Sequence, residues 1–249
     1  MKLVLAESRL FKESISTISG IVNEVSLHVD KNMLEIIAMD PANVAMIIFH
    51  MLAPAFVEYD VKKEEMLAIS LDSLNQVLRR TKPTDNMIIE LDENNGKLSI
   101  KLIGESSRTF HIALLDNEHR EQKVPELKFP VKIEMPSYLF SEAMEDMNII
   151  TESVAFIASQ NNFTMKSEGK LNAAKVEVTS DDEASIKIEK SEDIASKYSL
   201  EYLNKIAKGS KLSDSIVLHF GNEYPLKVDY KIIDKLSLSI ILAPRVTND

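Results

Sequence analysis

Two short runs hold the cations that could grip a polyanion: Arg79, Arg80 and Lys82 in one, Lys205, Lys208 and Lys211 in the other. The runs are related. Leu71 to Leu91 reads LDSLNQVLRRTKPTDNMIIEL, and 129 residues on, Leu200 to Phe220 reads LEYLNKIAKGSKLSDSIVLHF. Leu71, Leu74, Asn75, Lys82 and Asp85 recur as Leu200, Leu203, Asn204, Lys211 and Asp214. Each run predicts an amphipathic helix, a turn and a strand. The helices bury Leu71, Leu74, Val77 and Leu78, and Leu200, Leu203, Ile206 and Ala207. The opposite faces carry the cations, and no cluster of acids within either helix neutralises them. Cations with few aromatics among them suit sequence-indifferent contact with duplex phosphates, not base stacking on single strands.

Other chemistry finds no convergent residues. The histidines His28, His50, His111, His119 and His219 are scattered, without HExxH or paired-ligand spacing. There is no GxGxxG, no GxxxxGK[ST] phosphate loop and no GxSxG elbow. With no cysteine, disulfides, thiolate nucleophiles and Cys-ligated zinc are excluded, and a reducing compartment is expected. Asp40 beside Pro41 is a turn former, and Asn162-Phe163-Thr164 reads as a hairpin turn and not a glycosylation acceptor. The sequence predicts a binding protein, not an enzyme, with no cofactor and no metal.

The elements that must position the cations follow from the repeat. Leu10, Phe11, Glu13, Ile21 and Val25 return 129 residues later as Leu139, Phe140, Glu142, Ile150 and Val154. One offset shared by distant blocks argues for duplication of a whole domain. Ser8 is a candidate cap for a helix with the stripe Leu10, Phe11, Ser14, Ile15, Ile18, Ile21, Val22 and Val25. Short alternating strands fill the rest of each half, including a hairpin with Asn95-Gly96 as a type I′ pair. The predicted class is α+β, two helices against antiparallel strands in each of two domains, 1–116 and 131–249. Residues 117–130, charged and with two prolines, read as the connector.

The net charge of −10 and pI near 5.1 oppose nucleic-acid binding if taken alone. Binding answers to the local field, however, and salt screens remote charges beyond about 8–10 Å. Acids on one face therefore barely cancel cations on another. The chain opens on a strand-like KLVLA and has no run of about 18–20 apolar residues, so a soluble intracellular protein is expected.

Several runs together resemble the archaeal–eukaryotic DNA sliding clamp family, proliferating cell nuclear antigen (PCNA). They are Met39-Asp40-Pro41-Ala42-Asn43-Val44, the LDSLNQVLRRTKPTDNMIIEL block, VPELKFP, FGNEYPLKVDYKI and the terminal LAPRV. The likeness spans the chain in order and agrees with the internal duplication. It implies a clamp fold and a ring of three chains around double-stranded DNA, a processivity factor for DNA polymerase. It also implies tethering of the clamp loader, flap endonuclease and DNA ligase through PIP-box peptides. Lys12, Arg79, Arg80, Lys82, Lys205, Lys208 and Lys211 would line or flank the channel. The cell compartment implied is the cytoplasm of an archaeon, or the nucleus in a eukaryote. Glu142, Glu145 and Asp146 depart from a cationic lining, making one lining helix locally acidic.

The resemblance also implies two protein surfaces. Ring closure would pair the strand Arg108–Leu115, bearing Phe110, Ile112 and Leu114, with Lys175–Thr179, bearing Val176 and Val178. Arg80, Lys82 and Arg108 are expected to face Glu142 and Asp146 across that joint. The peptide pocket would be walled by Met39, Val44, Met46, Val124, Pro125, Phe129, Pro225, Leu242, Ala243 and Pro244, with Met39 and Leu242 as plain core residues the alternative. A subunit of a heterotrimeric or checkpoint-type clamp, and a scaffold binding only proteins, are the competing functions.

Overall fold

The computed structural model describes residues 1–93, 95–116, 122–150, 152–180, 183–189 and 192–245. His119, connector residues 117–121 and Val246 of LAPRV lie outside the described residues. The chain forms two compact units. One comprises Met1–Pro41, Ile47–Val124 and Ile232–Leu238; the other comprises Ala42–Met46, Pro125–Lys231 and Ser239–Asp249.

The first repeat runs β1 (Lys2–Leu5), α1 (Arg9–Ile18), β2 (Glu24–Val29), β3 (Met33–Met39), β4 (Ala45–Leu52), β5 (Glu58–Asp60), β6 (Glu65–Ser70), α2 (Leu71–Leu78), β7 (Asn86–Asp92), β8 (Lys97–Ile103) and β9 (Ser107–Ala113). The second runs β10 (Val131–Pro136), α3 (Ser137–Met147), β11 (Ser153–Ser159), β12 (Asn162–Glu168), β13 (Ala173–Thr179), β14 (Ser185–Ile188), β15 (Ile194–Ser199), α4 (Leu200–Ala207), β16 (Ser215–Phe220), β17 (Leu226–Ile232) and β18 (Leu236–Leu242). The offset of 129 residues maps β3 onto β12, β6 onto β15, α2 onto α4, β8 onto β17 and β9 onto β18, residue for residue. Strand orders match as well: β5-β1-β7-β8-β9 corresponds to β14-β10-β16-β17-β18, and β4-β3-β2-β6 to β13-β12-β11-β15. The duplication seen in two sequence blocks therefore extends to every β-strand and α-helix of the described residues.

Local chemistry explains the elements. Strands β2 and β3 alternate, burying Val25, Leu27 and Val29, then Leu34, Ile36 and Ala38, on one face. Helix α2 starts at Ser70, whose hydroxyl accepts the Ser73 N–H at 3.3 Å, and Asp72 lies in its positive first turn. It buries Leu71, Leu74, Asn75 and Leu78, while Val77 is only half-buried. Helix α4 buries the four expected residues, Leu200, Leu203, Ile206 and Ala207. Beyond it the chain tightens into a 3-10 turn over Lys208–Lys211, where Gly209 lies flat against Tyr230. A Cβ at Gly209 would stand 2.3 Å from Tyr230 Cε2, and the Tyr230 hydroxyl caps the helix by donating to Ile206 O at 3.0 Å. Any larger residue at Gly209 would push that cap aside.

The two cores differ in filling. The second unit holds an aromatic cluster in which Phe156 meets Phe163 and Tyr198 at centroid distances of 5.3 Å and Phe140 of α3 at 6.3 Å. In the first unit Phe11 keeps the place of Phe140, but the positions equivalent to Phe156, Phe163 and Tyr198 are the aliphatic Leu27, Leu34 and Ile69. A Phe156→Ala change removes the centre of the cluster, at a cost of about 3–5 kcal/mol.

Several expectations are corrected. Helix α1 ends at Ile18, so Ile21 and Val22 are buried from the following turn and Val25 from β2. Strands β5 and β15 were not expected at all. The β7–β8 hairpin pairs Asp92 with Lys97, so its loop is longer than a two-residue type I′ turn. Gly96 does take a left-handed φ of 58°, and Asp92 accepts the Asn95 N–H at 3.3 Å, which supports the wider loop. Asn162 opens strand β12, its side chain donating to Glu177 at 3.0 Å.

Candidate nucleic-acid interface and partner surfaces

Both cationic runs sit at helix C-termini, where unpaired carbonyls favour positive charge. Arg79 and Arg80 are exposed at the end of α2, and Lys208 and Lys211 are exposed at the equivalent end of α4. Lys82 is exposed and pairs with Glu105 at 2.9 Å. Lys205 is half-buried, bonded to Glu201 at 2.7 Å and lying 5.0 Å from the centre of the Tyr202 ring. Lys12 is half-buried on α1. In each unit a polar link joins the two helices. Asn75 Nδ2 donates to Ser19 Oγ at 3.0 Å, and Asn204 and Asn148 bond reciprocally at 2.6 and 3.2 Å. The recurrence of Asn75 as Asn204 was the only sequence signal for these links.

Strands β9 and β13 end their sheets and share one exposure pattern, alternating exposed and half-buried with a single buried residue, Ile112 or Val178. Other sheet edges are short or covered. Strands β5 and β14 span three and four residues, Ala68 O of β6 accepts the Leu115 N–H at 2.8 Å, and Lys197 O of β15 accepts the Arg245 N–H at 2.7 Å. Ile112 and Val178, at 5% and 8% exposure, are turned toward the core of their own units by the strand pleat. Phe110, Leu114 and Val176 are half-buried, Lys175 is exposed and bonded to Glu177 at 2.7 Å, and Glu142 and Asp146 are exposed on α3. Beside β9 runs a groove lined by Ser70, Ser73, Val77, Phe110, Ile112 and Leu115, which the sequence did not announce. Arg108, expected to reach another chain, bonds within its own chain to Asp85 and to the Arg80 carbonyl.

Of the expected pocket walls, Met46 and Leu242 are core residues at 4% and 0% exposure, so they cannot line an open surface on this chain. Val44, Phe129, Pro225, Ala243 and Pro244 are half-buried in the second unit, where the Ala243 N–H donates to Val44 O at 2.9 Å. Phe129 packs against His219 and Tyr224 at centroid distances of 5.6 and 5.7 Å. Pro125 is exposed in the same unit; Met39 is half-buried and Val124 exposed in the first.

Two polar networks escaped the sequence reading. In the second unit, buried Asp229 accepts from Ser239 and lies 3.2 Å from Lys227 Nζ and 3.5 Å from His219 Nε2. Burial would raise its pKa, but His219, Ser239 and Lys227 outweigh that and hold it at about 2. In the first unit, His28 bridges Glu64 at 2.6 Å and Glu35 at 3.2 Å, and Glu35 also meets His50 at 2.9 Å. Burial lowers the His28 pKa, yet the two carboxylates together raise it above its ordinary value. Bonds from both ring nitrogens require the imidazolium form. Among the described residues no group of three or more His, Asp or Glu is placed to hold a metal ion, and no helix is long and apolar enough to cross a membrane.

Comparison with known proteins decides the family. The pattern described as "Proliferating cell nuclear antigen, N-terminal domain" matches residues 1–119, and its C-terminal counterpart matches residues 123–245. The chain belongs to the PCNA family. A relative from Pyrococcus abyssi, named DNA polymerase sliding clamp, is 35% identical over 245 residues, 98% of both chains. The crystal structure of PCNA from Thermococcus kodakaraensis superposes with a TM-score of 0.91 at 24% identity, covering 98% of this chain and 99% of that one. A chain from the PCNA2–PCNA3 complex of Sulfolobus tokodaii superposes with a TM-score of 0.89 at 25% identity, over 98% and 99%. The PCNA clamp fold, α+β with two related domains, is thus the fold of this chain, and both cationic helix ends occupy equivalent positions within it.

Proposed function

We propose that this chain is a DNA polymerase sliding clamp, a non-enzymatic processivity factor that closes with two further copies into a ring around duplex DNA. On this reading residues 1–116 and 131–249 are the duplicated domains and 117–130 joins them. One observation carries the reading: a chain of net charge −10 repeats exposed cations, Arg79 and Lys82, then Lys208 and Lys211, at equivalent helix ends. Three chains supply six such ends. Topology holds the DNA, so each phosphate contact stays weak enough for sliding.

The ring needs two different surfaces per chain, and the matched edges β9 and β13 fit that role. Arg80 and Lys82 face Glu142 and Asp146 of the next chain, which gives the acidic face of α3 its use. Ile149, 77% exposed just beyond Asp146, is then placed to enter the groove between α2 and β9. The partner pocket comprises Val44, Pro125, Phe129, Pro225, Ala243 and Pro244 of the second unit. It takes PIP-box peptides of DNA polymerase, clamp loader, flap endonuclease and DNA ligase in the cytoplasm of an archaeal-type cell. Three tethering points per ring raise the local concentration of these enzymes at DNA.

The test is retention on circular plasmid after loading with the loader and ATP, and release when the plasmid is linearised. Equal retention on both forms contradicts encirclement. A heteromeric reading, favoured by the likeness to a chain of a two-component complex, predicts that the chain closes a ring only with different sister chains.

A further inference from the structure

Arg108 lies near the start of edge strand β9, yet its guanidinium turns back into its own chain. One terminal nitrogen bonds the Asp85 carboxylate, and the other donates to the Arg80 carbonyl at 2.8 Å. Asp85 is 1% exposed, and its Oδ2 also accepts the Lys82 N–H at 2.8 Å. The hairpin between β8 and β9 closes over the same carboxylate: a Cβ on Gly104 would stand 2.3 Å from Asp85 Oδ1. One buried carboxylate and one planar fork thus gather the end of α2, the turn after it, the β8–β9 hairpin and the first residues of β9. The Arg80 carbonyl lies in the turn just past the Arg79 C-cap of α2, close to the negative end of the helix, where a guanidinium is favoured.

The second repeat lacks this arrangement. Asp214, the counterpart of Asp85, is exposed, while Ser237 replaces Arg108 and Ile233 replaces Gly104. Only the copy whose last strand is a sheet edge carries the fork.

We propose that Arg108 and Asp85 form an intrachain strap that positions Arg79, Arg80 and Lys82 on edge strand β9. Arg108 is therefore a positioning residue, not an ion-pair partner across the joint. The strap holds the cations that follow α2 and the strand that joins the next chain as one rigid piece, and this role rests on the ring reading above. Lysine cannot replace it, because an ammonium keeps the charge but cannot bond both acceptors in the plane of a fork.

The experiment uses the full chain and the variants Arg108→Lys, Arg108→Gln, Asp85→Asn and the Arg108→Gln/Asp85→Asn pair. Amide hydrogen exchange and sedimentation are read together with the salt dependence of association with a duplex oligonucleotide. The strap predicts at least tenfold faster exchange at Arg79 to Lys82 in Arg108→Lys, with amides of the second unit unchanged. The double variant should exchange no faster than the worse single one. The log–log salt slope of DNA association should become shallower by about one phosphate or more in Arg108→Lys. Unchanged exchange at Arg79 to Lys82, or an unchanged slope, overturns the strap. So does a double-mutant cycle coupling Arg108 to Asp146 and not to Asp85. If the unsubstituted chain sediments as a single copy at every concentration, the ring reading fails, while the exchange data still decide the strap.

Discussion

Replacing Asp229 by Asn removes one charge from a buried site and little else, since Asn keeps the shape and a carbonyl acceptor. The magnitude follows from the depressed pKa of Asp229, about 2 against an ordinary 3.8. One pKa unit corresponds to about 1.4 kcal/mol, so the ionised carboxylate contributes about 2 kcal/mol of stability at neutral pH. Because the folded pKa is the lower one, this contribution is present above the unfolded value and is lost as pH falls through the folded one. Denaturant unfolding at fixed protein concentration, from pH 7 downward, reads it directly. Asp229→Asn should be less stable by about 2 kcal/mol at pH 7, and the gap should close between about pH 5 and pH 2. No gap at pH 7, or a gap independent of pH, refutes the reasoning that Ser239, Lys227 and His219 jointly hold the carboxylate ionised.

Other consequences are equally specific. Arg80→Glu with Lys82→Glu should lower the trimer content in sedimentation, more at low salt than at high, because these are exposed pairs; an unaltered distribution counts against the joint. Val44→Asp with Pro244→Ser should abolish PIP-peptide binding in a titration while the ring stays intact, and normal affinity removes the pocket. His28, whose folded pKa is raised, contributes stability that is fully present below its ordinary value of 6.5 and lost as pH rises through the folded value. His28→Gln should therefore cost most in mildly acidic solution and almost nothing in alkaline solution; the opposite trend would show that the bridge to Glu35 and Glu64 is unfavourable.

Helices α2 and α4 were legible because their apolar residues recur with the helical period and the 129-residue offset supplies a second reading of each. The strand β15, IASKYS, was missed because one of its three inward residues, Ser196, is polar, leaving only Ile194 and Tyr198 to carry an apolar alternation. Its repeat partner Met66 to Leu71 carried the signal that the local pattern lacked. Strand parity was the weaker guide at the pocket, since a resemblance names Met46 and Leu242 without telling which face of the sheet each occupies. Arg108 and Asp229 could not be read at all. Their partners lie on other elements, Arg80 and Asp85 for one, His219 and Ser239 for the other, and no spacing rule connects them.

The account turns on a head-to-tail joint that closes, and the mass of the purified chain in solution tests that most directly. Light scattering or sedimentation equilibrium should give three times 28.0 kDa across a wide concentration range. A single chain of 28.0 kDa at every concentration contradicts closure into a ring by this chain alone.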